Sequence, residues 1–162
     1  MFAVGFGSEN REQKILQYIE DDDHTTAVIL AAVHFEWMIK RSILKLGTRP
    51  TKALREELED VYRIRDRGKD LGYKSIWKRE VQARFSNAAL GTVLGNLTEI
   101  SNTAMTVRGK VVHGNGTVKR ADARQAVEAF IRAGQKLRIF AAQHGEDLDS
   151  KLKARIKARK LA

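Results

Sequence analysis

The chain has no cysteine. That excludes disulfides, thiolate metal sites and a cysteine nucleophile, and it gives no sign of an oxidising compartment. It has a single proline, Pro50. Runs in which apolar and polar residues alternate are nearly absent, which argues against sheet as the main architecture. The most apolar stretch, Thr26 to Phe35, is about half of what a membrane-spanning helix needs. The first residues, Met-Phe-Ala-Val-Gly-Phe, lack the basic start of a signal peptide. We therefore expect a cytoplasmic chain with no membrane partner. Internal repeats are also lacking.

Apolar residues recur instead at three-to-four spacing, so the expected fold class is all-α. We expect a four- to five-helix up-and-down bundle with a basic C-terminal helical tail. A chain of 162 residues is read as one domain able to bury its own core. The expected division is 1–149 for the helical domain and 150–162 for the tail. Ser8 and Glu12 open the first helix, with Ile15, Leu16, Tyr18 and Ile19 as its apolar face. Glu20-Asp-Asp-Asp23 forms a solvated joint whose acids suit the positive end of the next helix. That second helix spans Thr25 to Leu46, is apolar nearly all round in its first half, and stops at Gly47. A third, charged helix is expected over Thr51 to Arg67, with Gly68 and Gly72 in a loop. A short helical piece from Ser75 to Phe85 follows. Asn87 to Gly95 is the next helical stretch, and an apolar stripe resumes at Leu97. The last core helix is expected to begin at an Asp122/Gln125 capping box, to run on Ala126, Phe130, Ala133, Leu137 and Phe140, and to close near Gly145. Trp77 with Arg79 and Arg84 has two readings, a base-stacking group or ordinary packing.

The formal net charge is +10, and it is unevenly spread. Residues 103–162 carry 14 Lys/Arg and 5 Asp/Glu, a balance of +9, so the first 102 residues contribute +1. Such asymmetry points to a polyanionic partner, and nucleic acid is the usual one; a solubilising surface is the plainer reading.

His34-Phe-Glu36 matches the His-x-Glu of zinc deaminases, but that signature also needs Pro-Cys-x-x-Cys, so it is rejected here. Glu36 is read either as a surface acid or as a polar group aimed at the basic motif. That motif is Arg108-Gly-Lys-Val-Val-His113-Gly-Asn115-Gly, where an apolar-periodic segment meets a glycine-rich turn. Arg108 keeps its charge at any relevant pH. His113 belongs to the residue type that titrates near neutrality. A fixed cation and a proton shuttle are the minimum equipment for breaking a phosphodiester without a metal. The RNA 2′-OH would attack the neighbouring phosphorus after losing its proton to a base, and the 5′-oxygen would leave; DNA lacks that hydroxyl. His113 would act as base or acid, and Arg108 would stabilise charge on the phosphorane oxygens. Lys110, Asn115, Lys119 and Arg120 flank the pair and would hold neighbouring phosphates. On an ideal helix five positions turn through roughly 500°, which leaves Arg108 and His113 about 140° apart. Two arrangements would reunite them. The helix ends before His113, or two copies of the motif meet across a two-fold axis.

An arginine, four residues and a histidine, with Val-Val-His113-Gly at its end, resembles the signature of the HEPN (higher eukaryote and prokaryote nucleotide-binding) superfamily. Ala31-Ala-Val-His-Phe-Glu36 and the run Ile39 to Leu46 resemble that family's apolar second helix. The resemblance covers about residues 10–144. It implies a helical bundle that pairs as a homodimer and acts as a metal-independent endoribonuclease needing no cofactor. In the family many members are toxins or defence effectors, so it also implies an antitoxin or regulatory protein as a further partner. By the motif match Arg108 and His113 take the catalytic roles. Asn102, six before Arg108, falls where some family ribonucleases carry an acid, and becomes an auxiliary polar group. The chain departs from the family pattern at Gly109, commonly a polar residue there, and at Asn115, a tyrosine in one toxin subgroup. Two other readings stand beside the nuclease: a catalytically inactive module binding RNA or nucleotide, and a helical protein-interaction domain.

Overall fold

A computed structural model describes residues 7–61 and 72–161. Every regular element among them is helical. We number the α-helices α1 (Ser8–Glu20), α2 (His24–Leu46), α3 (Thr51–Asp60), α4 (Tyr73–Trp77), α5 (Leu90–Leu94), α6 (Met105–His113) and α7 (Arg120–Gln143). Two π-helical turns, Lys78–Gln82 and Glu99–Ala104, run on from α4 and into α6. The all-α reading of the sequence therefore holds. The expected continuation of the third helix to Arg67, and Gly68, lie outside the described residues. None of the described helices is long and apolar enough to cross a membrane.

The chain divides into two compact units. The first comprises Met1–Trp37 and Leu97–Gln135, the second Met38–Asn96 and Lys136–Ala162.

The first unit is built on α1, the start of α2, α6 and the start of α7. Its core contains Ile15, Ile19, Ala27, Val28, Ala31, Phe35, Ala126, Val127 and Phe130. The Phe35 and Phe130 rings lie 5.7 Å apart and tilted, an offset contact favoured by their quadrupoles. Leu16, expected on the buried face of α1, is largely exposed. It sits about 100° around the helix from Ile15, past the edge of the stripe that Ile15 and Ile19 define. The places below the apolar side chains are taken by polar ones. Arg11, Glu12 and His34 are all buried. Arg11 Nε donates to His34 Nδ1 at 3.3 Å, and His34 Nε2 lies 3.3 Å from Glu12 Oε1. Gln135 Nε2 donates to the other Glu12 oxygen at 3.3 Å, and the Arg11 guanidinium sits 4.1 Å over the Trp37 ring. With Nδ1 accepting, the imidazole proton is on Nε2 and faces the carboxylate. Buried polar atoms are tolerated when they satisfy one another in this way. His34 thus belongs to the framework, and Glu36 stands half-buried beside it in sequence.

In the second unit Trp77 is fully buried. Its indole donates to the Ala88 carbonyl at 2.6 Å, and its ring lies 5.8 Å from Phe140. It packs; it is not a base platform. Gly47 ends α2 because nothing larger fits: a Cβ there would meet the Ile43 carbonyl at 2.5 Å and Leu54 at 2.8 Å. The turn after it is locked by Glu80, whose carboxylate is buried. Glu80 Oε2 accepts from Thr48 N (2.9 Å), Thr48 Oγ1 (2.7 Å) and Arg49 N (3.1 Å), while Oε1 accepts from Arg49 Nε at 2.5 Å. Burial alone would raise the Glu80 pKa, but these donors outweigh it and bring it down to about 2.

The tail requires a correction. Residues 151–161 form no helix. They form no regular element and bind the turn between α2 and α3. Thr51 N donates to the Arg155 carbonyl at 2.9 Å, Arg159 N to the Thr48 carbonyl at 2.8 Å, and Arg155 N to Thr51 Oγ1 at 2.8 Å. Arg159 donates to the carbonyls of Leu46 and Gly47, both at 3.1 Å, and Arg155 to that of Arg49 at 2.8 Å. These are the last carbonyls of α2 and those just beyond, which a helix leaves without partners and where its dipole is negative. Guanidinium groups satisfy both needs. They do so from two positions four residues apart.

Candidate active site

The basic motif sits on α6, in the first unit. The π-helical turn Glu99–Ala104 leads directly into it. Such turns, with one residue more than an α-turn, are frequent at functional sites. The core side of this segment is set by Ile100, Ala104 and Val107, all buried. α6 ends at His113, and Gly114 takes a left-handed conformation with φ 65°. That conformation favours glycine. The N–H groups of both Gly114 and Asn115 donate to the Lys110 carbonyl.

One of the two arrangements drawn from the sequence, a helix that ends before His113, is not what the structure has. His113 is the last helical residue of α6, so the helix does not stop short of it. The angle of about 140° from Arg108 therefore stands. Val112 falls between them around the helix and is 45% exposed. Arg108 is half-buried and His113 exposed. Thr106 and His113, seven apart, share one exposed face.

The remaining expected site residues divide by what they touch. Asn102 is exposed on the π-helical turn, and its Oδ1 accepts from Ser101 at 3.3 Å. Lys110, Asn115 and Lys119 are exposed. Arg120 opens α7 and pairs with Asp22 at 3.5 Å, so it is not a spare cation. Among the described residues, no hydrogen bond or ion pair engages the side chains of Arg108, Lys110, His113, Asn115 or Lys119. Arg79 and Arg84 lie in the second unit and are engaged there. Arg79 pairs with Glu57 at 2.7 Å, and Arg84 donates to the Leu46 carbonyl.

One residue escaped the sequence reading. His24, the first residue of α2, lines a cavity of about 260 Å³ with Thr25, Lys110, Val111, Gly114 and Val118. Its Nε2 is buried and has no hydrogen-bond partner; the nearest carboxylate oxygen, on Asp22, is 3.6 Å away. Asp22 has φ 66°, the only non-glycine in the left-handed region among the described residues. The sequence shows only an acidic joint here. The signal was the histidine directly after it, which a local reading has no reason to place against a turn some 90 residues later.

Among the described residues no three His, Asp or Glu side chains cluster as metal ligands. Neither family models, nor curated proteins, nor solved structures yield a match to this chain.

Proposed function

We propose that the protein is a HEPN-type endoribonuclease, a dimer of helical bundles that cleaves RNA by 2′-OH attack without a metal. The observation that carries this reading is the Arg108–His113 pair at the end of α6. The imidazole is solvent-facing on the last helical residue, and neither side chain is tied to another described group. A histidine recruited for structure would have a partner, as His34 does. RNA as the partner is further supported by the +9 balance of residues 103–162.

Because the helix turns the two groups apart, the reading places them in a composite site. Arg108 of one copy faces His113 of the other across a two-fold axis, with the exposed Val112 near the axis. In that site His113 takes the 2′-OH proton, and Arg108 binds the non-bridging oxygens as charge builds on them. Asn102 hydrogen-bonds the reacting strand. Lys110, Asn115 and Lys119 hold adjacent phosphates, and a regulator or antitoxin covers the site when it is off.

The test is cleavage of labelled RNA in EDTA, with 2′,3′-cyclic phosphate ends as the signature. The composite site has its own test. Arg108→Ala and His113→Ala are each inactive, but mixing the two variants restores part of the activity, because one of the two sites in a mixed dimer is intact. Activity from neither the wild type nor the mixture ends the nuclease reading. Salt-sensitive RNA binding without cleavage would leave a binding module in its place.

A further inference from the structure

We propose that the cavity beside α6 is a base-binding subsite: it takes the nucleobase of the nucleotide next to the scissile linkage, and His24 and Lys110 read the edge of that base. This rests on the ribonuclease reading. The first argument is the unpartnered imidazole nitrogen. His24 Nε2 is shielded from water yet makes no hydrogen bond, although buried polar atoms are nearly always paired. His24 lines the cavity, so a turn of its ring toward that space would let a ligand supply the missing partner.

The second argument is size. At about 260 Å³ the cavity is far larger than the ~30 Å³ share of one water. It falls just under the ~300–1,000 Å³ of sites for drug-sized ligands. One base fits that space, and a folded peptide segment does not. The third argument is chemistry. Val111, Val118 and Ala123 provide apolar walls for the face of a ring. Lys110 is a donor, and the His24 imidazole either donates or accepts. Mixed donors and acceptors suit the edge of an unstacked base.

Position supplies the fourth argument. Lys110, Val111 and Gly114 interleave with Arg108 and His113 on the same segment. Lys110 and His113 are three apart on a helix, which sets their Cβ atoms ~5–6 Å from each other. A strand with its linkage at His113 therefore passes the mouth of the cavity.

The experiment uses the full chain and follows its histidine side-chain resonances by NMR, with the His24 signal assigned by its loss in His24→Phe. The probes are each of the four ribonucleoside monophosphates, inorganic phosphate, and a 2′-O-methyl oligoribonucleotide that cannot be cut. The expected result is a His24 shift with at least one nucleotide and with the oligonucleotide, and none with inorganic phosphate. His24→Phe and the cavity-filling Val118→Trp should each weaken oligonucleotide binding about tenfold, the scale of one lost hydrogen bond. In RNA cleavage both should flatten the base preference beside the cut. A response to inorganic phosphate alone, or to no probe, overturns the proposal. A response to mononucleotides but not to the oligonucleotide overturns the strand subsite in favour of a free-nucleotide pocket. If the wild type cuts no RNA while His24 still responds to the oligonucleotide, the nuclease reading falls and the base site stands.

Discussion

Both units tie some cations into the fold and leave others exposed, but at different places: in the first Arg120, Arg124 and Arg132 are paired with Asp22, Glu20 and Glu99. In the second, the cations around the end of α2 are taken up by the fold, while Lys151, Lys153, Lys157 and Lys160 are exposed. Arg49 and Arg79 share Glu57 and Glu80, Lys45 donates to the Asp147 carbonyl and to Ser150 Oγ, and Arg84, Arg155 and Arg159 converge on the carbonyls that end α2. Desolvation lowers the pKa of Arg84 and Arg155, and the neighbouring Arg159 lowers it further. In the first unit, Arg108, Lys110, His113 and Lys119 stand on one short helix and the turn after it with no described partner. Net charge does not separate these cases. What separates them is whether a cation has carbonyls or carboxylates to satisfy within its own unit. By that measure the motif is open to a ligand, the tail arginines are not, and the exposed tail lysines can only add charge.

The largest expected effect breaks the comparison at its centre. His113→Ala should lower RNA cleavage by about 10²- to 10⁴-fold, the usual contribution of a positioned acid or base, with an unchanged circular-dichroism spectrum and melting curve. A melting temperature that falls along with activity would mean His113 is structural, as the arginines of the second unit are.

Next comes Glu80. Its folded pKa of about 2 lies below the 4.5 of the free side chain. Its contribution is therefore fully present above pH 4.5 and is lost as pH falls from there towards 2. At neutral pH the shift corresponds to about 3 kcal/mol. Glu80→Gln should lose most of that in urea unfolding at pH 7, and should differ little from the wild type near pH 2. An equal deficit at both pH values would place the effect in packing instead of charge.

Truncation after Asp149 should come third, costing about 2 kcal/mol in the same unfolding assay through the lost charged hydrogen bonds to α2 and α3. It should also weaken RNA binding more than turnover at saturation, since Lys151, Lys153, Lys157 and Lys160 are exposed. No loss of stability would show that the docked tail is dispensable to the fold.

The smallest effect sharpens the comparison from the other side. Lys110→Ala and Lys119→Ala should leave the melting temperature unchanged. Each should reduce the salt slope of RNA binding by about one. Lys45→Ala, in the second unit, should do the reverse, lowering stability and sparing the salt slope.

Much of the helical layout was legible because it rests on spacing. Phe35, Phe130 and Leu137 are buried as the apolar pattern implied, Trp77 took the packing one of its two readings, and α2 starts one residue before the expected Thr25. α7 begins at Arg120, two residues before the proposed Asp122 cap, because the asparagine-glycine turn ends sooner than the cap pattern allowed. The motif could be picked out as a pair of residue types, but its orientation was not legible. Whether α6 reached His113 depended on the conformation of one glycine. The docking of the tail was hidden for another reason. Alternating basic and small apolar residues were read as a helix, and nothing local reveals that the carbonyls at the end of α2 need donors.

The order of apolar residues along the chain determined the helices and most of the core, since burial periodicity is a local property. The choice of arginine and histidine determined what chemistry could be offered. Which cations remain available, which imidazole is satisfied and which is left waiting, was decided only by the tertiary structure. Partners for a side chain come from segments distant in sequence: Glu12 for His34 and Glu80 for Arg49.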